Sequence, residues 1–319
     1  MNLHDFGEDE VVLPTVGLAT DEPGEILRYA YDSFLAGIPV ALVTLVEVRG
    51  GAARAIGAQM AVRRDGCYCG FVSGGCTEAA VAAEAIEAMR KGRDRFLRLG
   101  EGSAFFDIVL PCGGGISLSI HILKNADPLG EVLSRLASRR PATLRYTPGL
   151  ESMEFGGERS RSQAGWFDGT FTTHYQPRIR VLLCGRSVEL TTAGAVARAA
   201  GYEADLIDPG VGSSAFASKI DQFSAVALLF HDLDRELPWL QAALRSNPFY
   251  IGALGSRRTH QKRSALLRKH GFKDADIARI KAPIGIFDKA RDASSIALSV
   301  VADIAAAKTL AAQQASALG

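Results

Sequence analysis

The chain has 319 residues, more than one ordinary core organises, so two domains are expected. Hydrophobic residues make up 47% and charged residues 22%, a globular composition, and 36 basic residues against 35 acidic ones lack the excess of a nucleic-acid-binding surface. The longest apolar stretches, such as 225–230, fall short of the roughly 20 residues a membrane span needs, and residues 1–10 are acidic without an apolar signal core. A cytoplasmic location follows as the expectation, with the five cysteines, an odd number, as free thiols.

In chain order, Ile26, Ala30 and Phe34 share one face of a helix predicted over 22–36, which Gly37 ends. A Val- and Leu-rich strand follows at 40–48 and is broken by Gly50-Gly51. Strands at 57–64 and 67–73 flank Asp65-Gly66, a strong hairpin signal. A helix at 77–91 carries Ala82, Ile86 and Met89 on one face and has Gly92 placed as its C-cap. Strands are expected at 105–110 and 116–123. The second alternates Ile116, Leu118, Ile120 and Ile122 with Ser117, Ser119 and His121, and His121 reads there as a surface or pocket residue. A helix at 128–139 closes an α+β domain over 1–140. Residues 141–177, turn-rich and polar at Thr147-Pro148-Gly149 and Gly156–Ser160, read as a connecting region with at most a short hairpin. From 178 to 319 the pattern becomes β-α-β: strands at 179–184, 204–207, 225–229 and 249–251, with a helix at 188–200. This is the rhythm of a Rossmann-like parallel sheet. The fold class is therefore α/β, an N-terminal α+β domain followed by a Rossmann-like parallel-sheet domain.

Two groups of residues carry chemistry. Ser73-Gly74-Gly75-Cys76-Thr77-Glu78 lies at a strand-to-helix junction. Its glycines let backbone N–H groups turn inward as an anion nest, the helix start favours a thiolate at Cys76, and Ser73 and Thr77 are candidate caps. Cys112, followed by Gly113-Gly114-Gly115, repeats a thiol beside side-chain-free backbone. The alternative for both cysteines is a small buried filler beside a tight turn. Cys67 and Cys69, two apart on a strand, read as packing residues.

In the second half the strand ending at Cys184 runs into Gly185-Arg186-Ser187-Val188-Glu189-Leu190. Only Gly185 matches a dinucleotide fingerprint; Ser187 and Leu190 stand at its second and third glycines. Asp208 lies 23 residues beyond Gly185, where an acid would bond a ribose hydroxyl or simply cap a loop. Gly255-Ser256-Arg257-Arg258 opens a helix whose first turns also hold Lys262 and Arg263. Arginines there oppose the helix dipole. Either they fork a bound phosphate or they form a solvated basic face.

Together these motifs resemble the XdhC/CoxI family, accessory factors for xanthine dehydrogenase and related molybdenum hydroxylases. The resemblance rests on Gly51-Ala52-Ala53-Arg54, Gly57-Ala58-Gln59-Met60, Val72–Glu78, Cys112-Gly113-Gly114, Phe249–His260 and Ala282-Pro283-Ile284-Gly285. It implies a chaperone that binds molybdenum cofactor (molybdopterin), guards it while its terminal sulfur is installed and passes it to an apo hydroxylase. The implied partners are the hydroxylase's large subunit and a cysteine desulfurase, with a homodimer as the implied assembly. Cys76 and Cys112 would face molybdenum or its sulfur. Ser73, Gly74, Gly75, Gly113, Gly185, Asp208, Gly255, Ser256, Arg257 and Arg258 would complete the cofactor site. The chain departs from the family pattern at Arg186-Ser187, in the short segment between Asp208 and Ala225, and at Ile286-Phe287-Asp288-Lys289. Either no dinucleotide binds or its pocket is altered, so NAD(P) is doubtful. A nicotinamide-dependent oxidoreductase is the alternative function.

Overall fold

The computed structural model describes residues 12–75, 77–100, 113–157, 163–208, 210 and 212–317. The chain divides into two compact units, Met1–Pro177 and Arg178–Gly319.

The first unit runs β1 (Thr15–Leu18), α1 (Pro23–Leu35), β2 (Val40–Arg49), β3 (Gln59–Arg63), β4 (Cys67–Gly70), α2 (Glu78–Lys91), β5 (Arg95–Gly100), β6 (Gly115–Ile122) and α3 (Asp127–Ala137). Then come β7 (Ala142–Thr147), β8 (Ser152–Gly157), β9 (Gly165–Phe167) and β10 (Thr170–Tyr175). One sheet has the order β1-β4-β3-β2-β6-β5, antiparallel except for the β1–β4 pair. Strand β2 is buried from Val40 to Val46, and apolar there except for Thr44, because both its faces are covered along that stretch. Ala41, Val43 and Leu45 pack with Val81, Ala82 and Ala85 of α2, whereas Val40 and Leu42 pack with Ile26 and Leu27 of α1 and Leu129 and Val132 of α3. The Asp65-Gly66 turn joins β3 to β4, with Gly66 at φ +85° and Asp65 Oδ1 accepting from Cys67 N at 3.1 Å. Gly92 caps α2 in the left-handed conformation.

Three features differ from the sequence reading. Residues 142–175, read as a connector, form a four-stranded antiparallel sheet of order β8-β7-β10-β9 within the first unit. Ala142, Leu144 and Tyr175 enter the same core as α1 and α3, and Tyr175 Oη donates to Gln59 Oε1 at 2.6 Å. Strands β1 and β5 carry too few apolar residues to stand out by pattern; both are edge strands. The expected strand at 105–110 lies outside the described residues. His121 is buried, with Nδ1 2.7 Å from Asp94 Oδ2, and Tyr146 Oη of β7 donates to the same oxygen at 2.8 Å. This cluster ties the two sheets together. Burial opposes the charge on Asp94, but hydrogen bonds from His121, Ile122 N–H and Tyr146 outweigh it and hold its carboxyl below the usual range.

The second unit runs β11 (Arg180–Gly185), α4 (Val188–Ala199), β12 (Glu203–Ile207), α5 (Ser213–Ala217), β13 (Ser224–Leu229) and α6 (Leu233–Arg245). It continues with β14 (Tyr250–Ala253), α7 (Arg257–Lys269), α8 (Asp274–Ile277), β15 (Ile280–Lys281) and α9 (Ala293–Ala317). All strand pairs are parallel, in the order β12-β11-β13-β14-β15, which places the topological switch between β11 and β13. The segment Ala293–Ala311 of α9 is long and apolar enough to cross a membrane by length and composition, against the expectation that apolar stretches are short. Here Ala297, Val300, Val301 and Ile304 pack into the core beneath the sheet. Further along, Ser299 Oγ accepts from the N–H groups of Ile286 and Phe287, and Asp303 Oδ2 accepts from Gly285 N and Tyr250 Oη. The Ala282-Pro283-Ile284-Gly285 motif is thus pinned to α9.

Arg263, grouped by sequence with an exposed basic face, is instead buried. It donates to both carboxylate oxygens of buried Glu236 at 2.5 and 2.9 Å and to Leu254 O at 2.6 Å. Its position one turn inward from Thr259 and His260 turns it toward α6 rather than solvent. Breaking such a buried pair leaves an uncompensated charge, so Arg263→Ala is expected to lower unfolding free energy in urea by about 3–5 kcal/mol. The double substitution Arg263→Met with Glu236→Leu should recover most of that loss, since no charge is then stranded.

Candidate functional site

The Ser73-Gly74-Gly75 turn forms the predicted nest, with Gly74 and Gly75 at φ +91° and +108°. It does not stand open to an outside anion, as the sequence reading expected, because the carboxylate of Glu78 fills it. Oε1 accepts from Val72 N at 3.1 Å, Ser73 N at 2.8 Å and Gly74 N at 3.1 Å. Oε2 accepts from Gly75 N at 2.9 Å, Thr77 N at 3.2 Å and Ser73 Oγ at 2.8 Å. Glu78 is 1% exposed. Burial opposes its charge, but the converging donors from Ser73 and Thr77 prevail and hold its carboxyl below the ordinary value. Of the two candidate caps, Ser73 Oγ accepts from Thr77 N at 3.2 Å, while the Thr77 side chain makes no cap. Glu78 was legible only as an acid in the first helical turn; its reach back over the glycines depends on the loop closing.

Cys76 and Cys112 lie outside the described residues, but the glycines beside each converge on one segment. A Cβ at Gly74 would sit 3.1 Å from Ala53 Cβ, and one at Gly114 would sit 2.3 Å from Gly51 O and 2.5 Å from Arg49 O. The Gly51–Ala53 stretch therefore lies against both glycine turns, and at Gly114 only a side-chain-free residue permits the approach. Gly113, at φ +69°, has nothing near its Cβ position and leaves that turn open. Arg54 closes the segment, ion-paired with Asp21 at 2.9 Å and 5.9 Å from the Phe71 ring centroid. Cys69 is fully buried and its thiol is pushed up to about 11 by burial and Glu25, which suits a packing role. Burial likewise pushes the Cys184 thiol up. Among the described residues no group of three His, Cys, Asp or Glu side chains is placed to hold a metal.

In the second unit Gly185 ends β11 because a Cβ there would come 2.6 Å from Leu229 O of β13. Asp208 is exposed and already engaged, accepting from Arg186 Nη2 of the loop after β11 and from Gly210 N of its own loop, each at 2.8 Å. A pocket of about 490 Å³ opens at the switch point, lined by Arg186, Gly210, His231, Asp232 and Arg235 among others. The sequence reading missed the last three, which come from the loop after β13 and the start of α6. At the start of α7 Ser256 Oγ accepts from Thr259 N at 3.2 Å, and Gly255 is required because a Cβ would meet Thr259 at 2.9 Å. Arg257 and Arg258 are exposed there. Gly185, Asp208 and Arg186 thus meet at the crevice, whereas Ser73, Gly74, Gly75 and Gly113 belong to the first unit.

Residues 34–100 match the model of the XdhC and CoxI family, and residues 181–304 match that of the XdhC Rossmann domain. The chain is 50% identical over 295 residues to the molybdenum cofactor insertion chaperone PaoD of Escherichia coli (strain K12), covering 92% of each protein. The chain belongs to the XdhC and CoxI family. The uncharacterized protein YqeB of the same organism is 27% identical over 269 residues, which span 83% of this chain but 43% of YqeB. A solved structure from Bacillus halodurans, described as a xanthine dehydrogenase, superposes with a TM-score of 0.69 at 20% identity. It covers 91% of this chain and 96% of its own, and so shares the fold. The XdhC/CoxI motif around Gly74 is, in this chain, a loop held by its own carboxylate. Glu78→Gln offers donors where only acceptors fit and should cost about 3 kcal/mol or more in urea unfolding at pH 7. Because the folded carboxyl is held low, its contribution is present above the ordinary Glu value of about 4.3 and is lost as pH falls through the folded value. The stability gap between wild type and Glu78→Gln should therefore close below about pH 4.

Proposed function

We propose that this protein binds molybdenum cofactor, supports its sulfuration and inserts it into an apo molybdenum hydroxylase, acting as a chaperone rather than by turnover of its own. The observation that carries the reading is the convergence of the two cysteine-bearing glycine turns on Gly51–Ala53, in a chain 50% identical to a molybdenum cofactor insertion chaperone. Thiolates at Cys76 and Cys112 would offer soft ligands to molybdenum or its sulfur. The exposed Arg257 and Arg258 would meet the cofactor's phosphate. The partners under this reading are the hydroxylase's large subunit and a cysteine desulfurase, with the chaperone as a homodimer. The test is to mix the purified protein with cofactor released from a carrier, separate by gel filtration, and measure co-eluting molybdenum and pterin. Wild type should retain both, and Cys76→Ala, Cys112→Ala and Arg257→Ala should each retain less. No retention by wild type would end the chaperone reading, and undiminished retention by both cysteine variants would end the thiolate assignment.

A second reading, a nicotinamide-dependent oxidoreductase, has the switch-point pocket and Asp208 in its favour. Against it, Ser187 replaces the glycine that lets pyrophosphate reach the backbone, and buried Leu190 replaces the one that lets helix and strand close up. Millimolar NADH or NADPH is expected to leave the thermal midpoint unchanged; tight binding would raise it by mass action.

A further inference from the structure

The face of the first sheet opposite α2 carries a pocket of about 360 Å³ that none of the preceding motifs includes. Its floor is a row across three strands: Glu47 of β2 stands opposite Ser117 of β6, and Ser117 stands opposite Arg98 of β5. Glu47 reaches this row through a bulge. Leu45 pairs with Leu118 and Glu47 with Ser117, so the extra residue between them moves Glu47 onto the face away from α2. Without it, Glu47 would share the face of Leu45 and point into the core. Arg49 Nη1 and Ser117 Oγ both donate to Glu47 Oε2 at 2.6 Å, and the carboxylate stays half exposed. Its ionised form is favoured by the Ser117 bond, with Arg49 and Arg98 adding to it.

The wall is aromatic. Phe96 of β5 and Trp166 of β9 are 51% and 40% exposed, with ring centroids 6.2 Å apart, and Trp166 is braced edge-on by Phe171 at 5.2 Å. Large exposed rings on two edge strands, beside a carboxylate re-aimed by a bulge, are poor choices for stability alone. They suit a flat ligand with hydrogen-bond donors along one edge.

We propose that this pocket seats the fused-ring heterocycle of the client cofactor, a pterin whose 2-amino and N3–H donors meet Glu47 and whose ring lies against Trp166. The proposal rests on the chaperone reading for the ligand's identity. A carboxylate complements two adjacent ring donors, which an adenine lacks, and Trp166 supplies the stacking face.

Free pterin (2-amino-4-oxopteridine) tests the pocket by the polarisation of its own fluorescence, with adenosine as competitor. Wild type should bind pterin and adenosine should not displace it. Trp166→Ala should weaken binding about ten-fold, as loss of a stacking face does, and Trp166→Phe should restore most of it. Glu47→Gln keeps the side chain's size and should weaken binding similarly, so the pocket remains testable if Trp166→Ala folds poorly. Absence of pterin binding by wild type, or equal binding by all variants, overturns the proposal. Cofactor retention on gel filtration is read on the same preparations. If wild type retains cofactor but pterin does not bind, the pocket falls and the chaperone reading stands. If pterin binds and depends on Glu47 but no cofactor is retained, the pocket stands and the chaperone reading falls.

Discussion

In the first unit the arrangement of the Ser73-Gly74-Gly75 turn depends on one buried negative charge. Five backbone N–H groups between Val72 and Thr77 and the Ser73 hydroxyl converge on the Glu78 carboxylate. Two glycines at positive φ aim those donors inward, and the first turn of α2 supplies the acid. Without it the buried N–H group of Val72 would be left unsatisfied, at about 1–3 kcal/mol, and that of Thr77 would keep only Ser73 Oγ. With the turn fixed, Gly74 can approach Ala53, and from the other side Gly114 approaches Gly51. Both glycine turns thus lie against one short segment, Gly74 near the Ala53 side chain and Gly114 near the Gly51 backbone.

The second unit meets the same requirement with different groups. Its motif glycines are there because neighbours come too close for a side chain: Leu229 against Gly185, Thr259 against Gly255, Ser299 against Gly285. The loop after β15 is held by Ser299 and Asp303 of α9, and Arg263 bridges α7 to Glu236 of α6. These motif residues therefore report helix–sheet packing before they report a ligand. The exposed Arg257 and Arg258 have no such packing duty.

Most of the regular structure was legible because its elements bury one clear face or two. Strand β2, helices α1, α2 and α4, and the central strands of the parallel sheet carry long apolar runs or helical stripes whose ends are marked by glycine. What escaped the sequence reading lacked such a signal. Strands β1 and β5 are sheet edges, as are β8 and the three-residue β9, each next to a turn. Helix α9 is so alanine-rich that its buried stripe of Ala297, Val300, Val301 and Ile304 barely contrasts with its outer face. At the candidate site the glycine turns were legible and their occupant was not, because Glu78 resembles any acid at a helix start. Arg263 misled for the converse reason: three basic neighbours hid the one that turns inward. Glu47 could not be placed, since a strand's alternation puts it in the core until the bulge is seen.

The glycine turn also bears on the energetics of meeting a ligand. Glycine-rich loops usually reach their bound form by surrendering many backbone conformations at the moment of association, which weakens binding. Here the segments on either side of Cys76 are already held by six hydrogen bonds to Glu78. The entropy of ordering them is lost once, when the chain folds, and not again at each encounter. A protein that must take up a client and then release it gains from that arrangement, because capture and release need not freeze and melt the loop in turn.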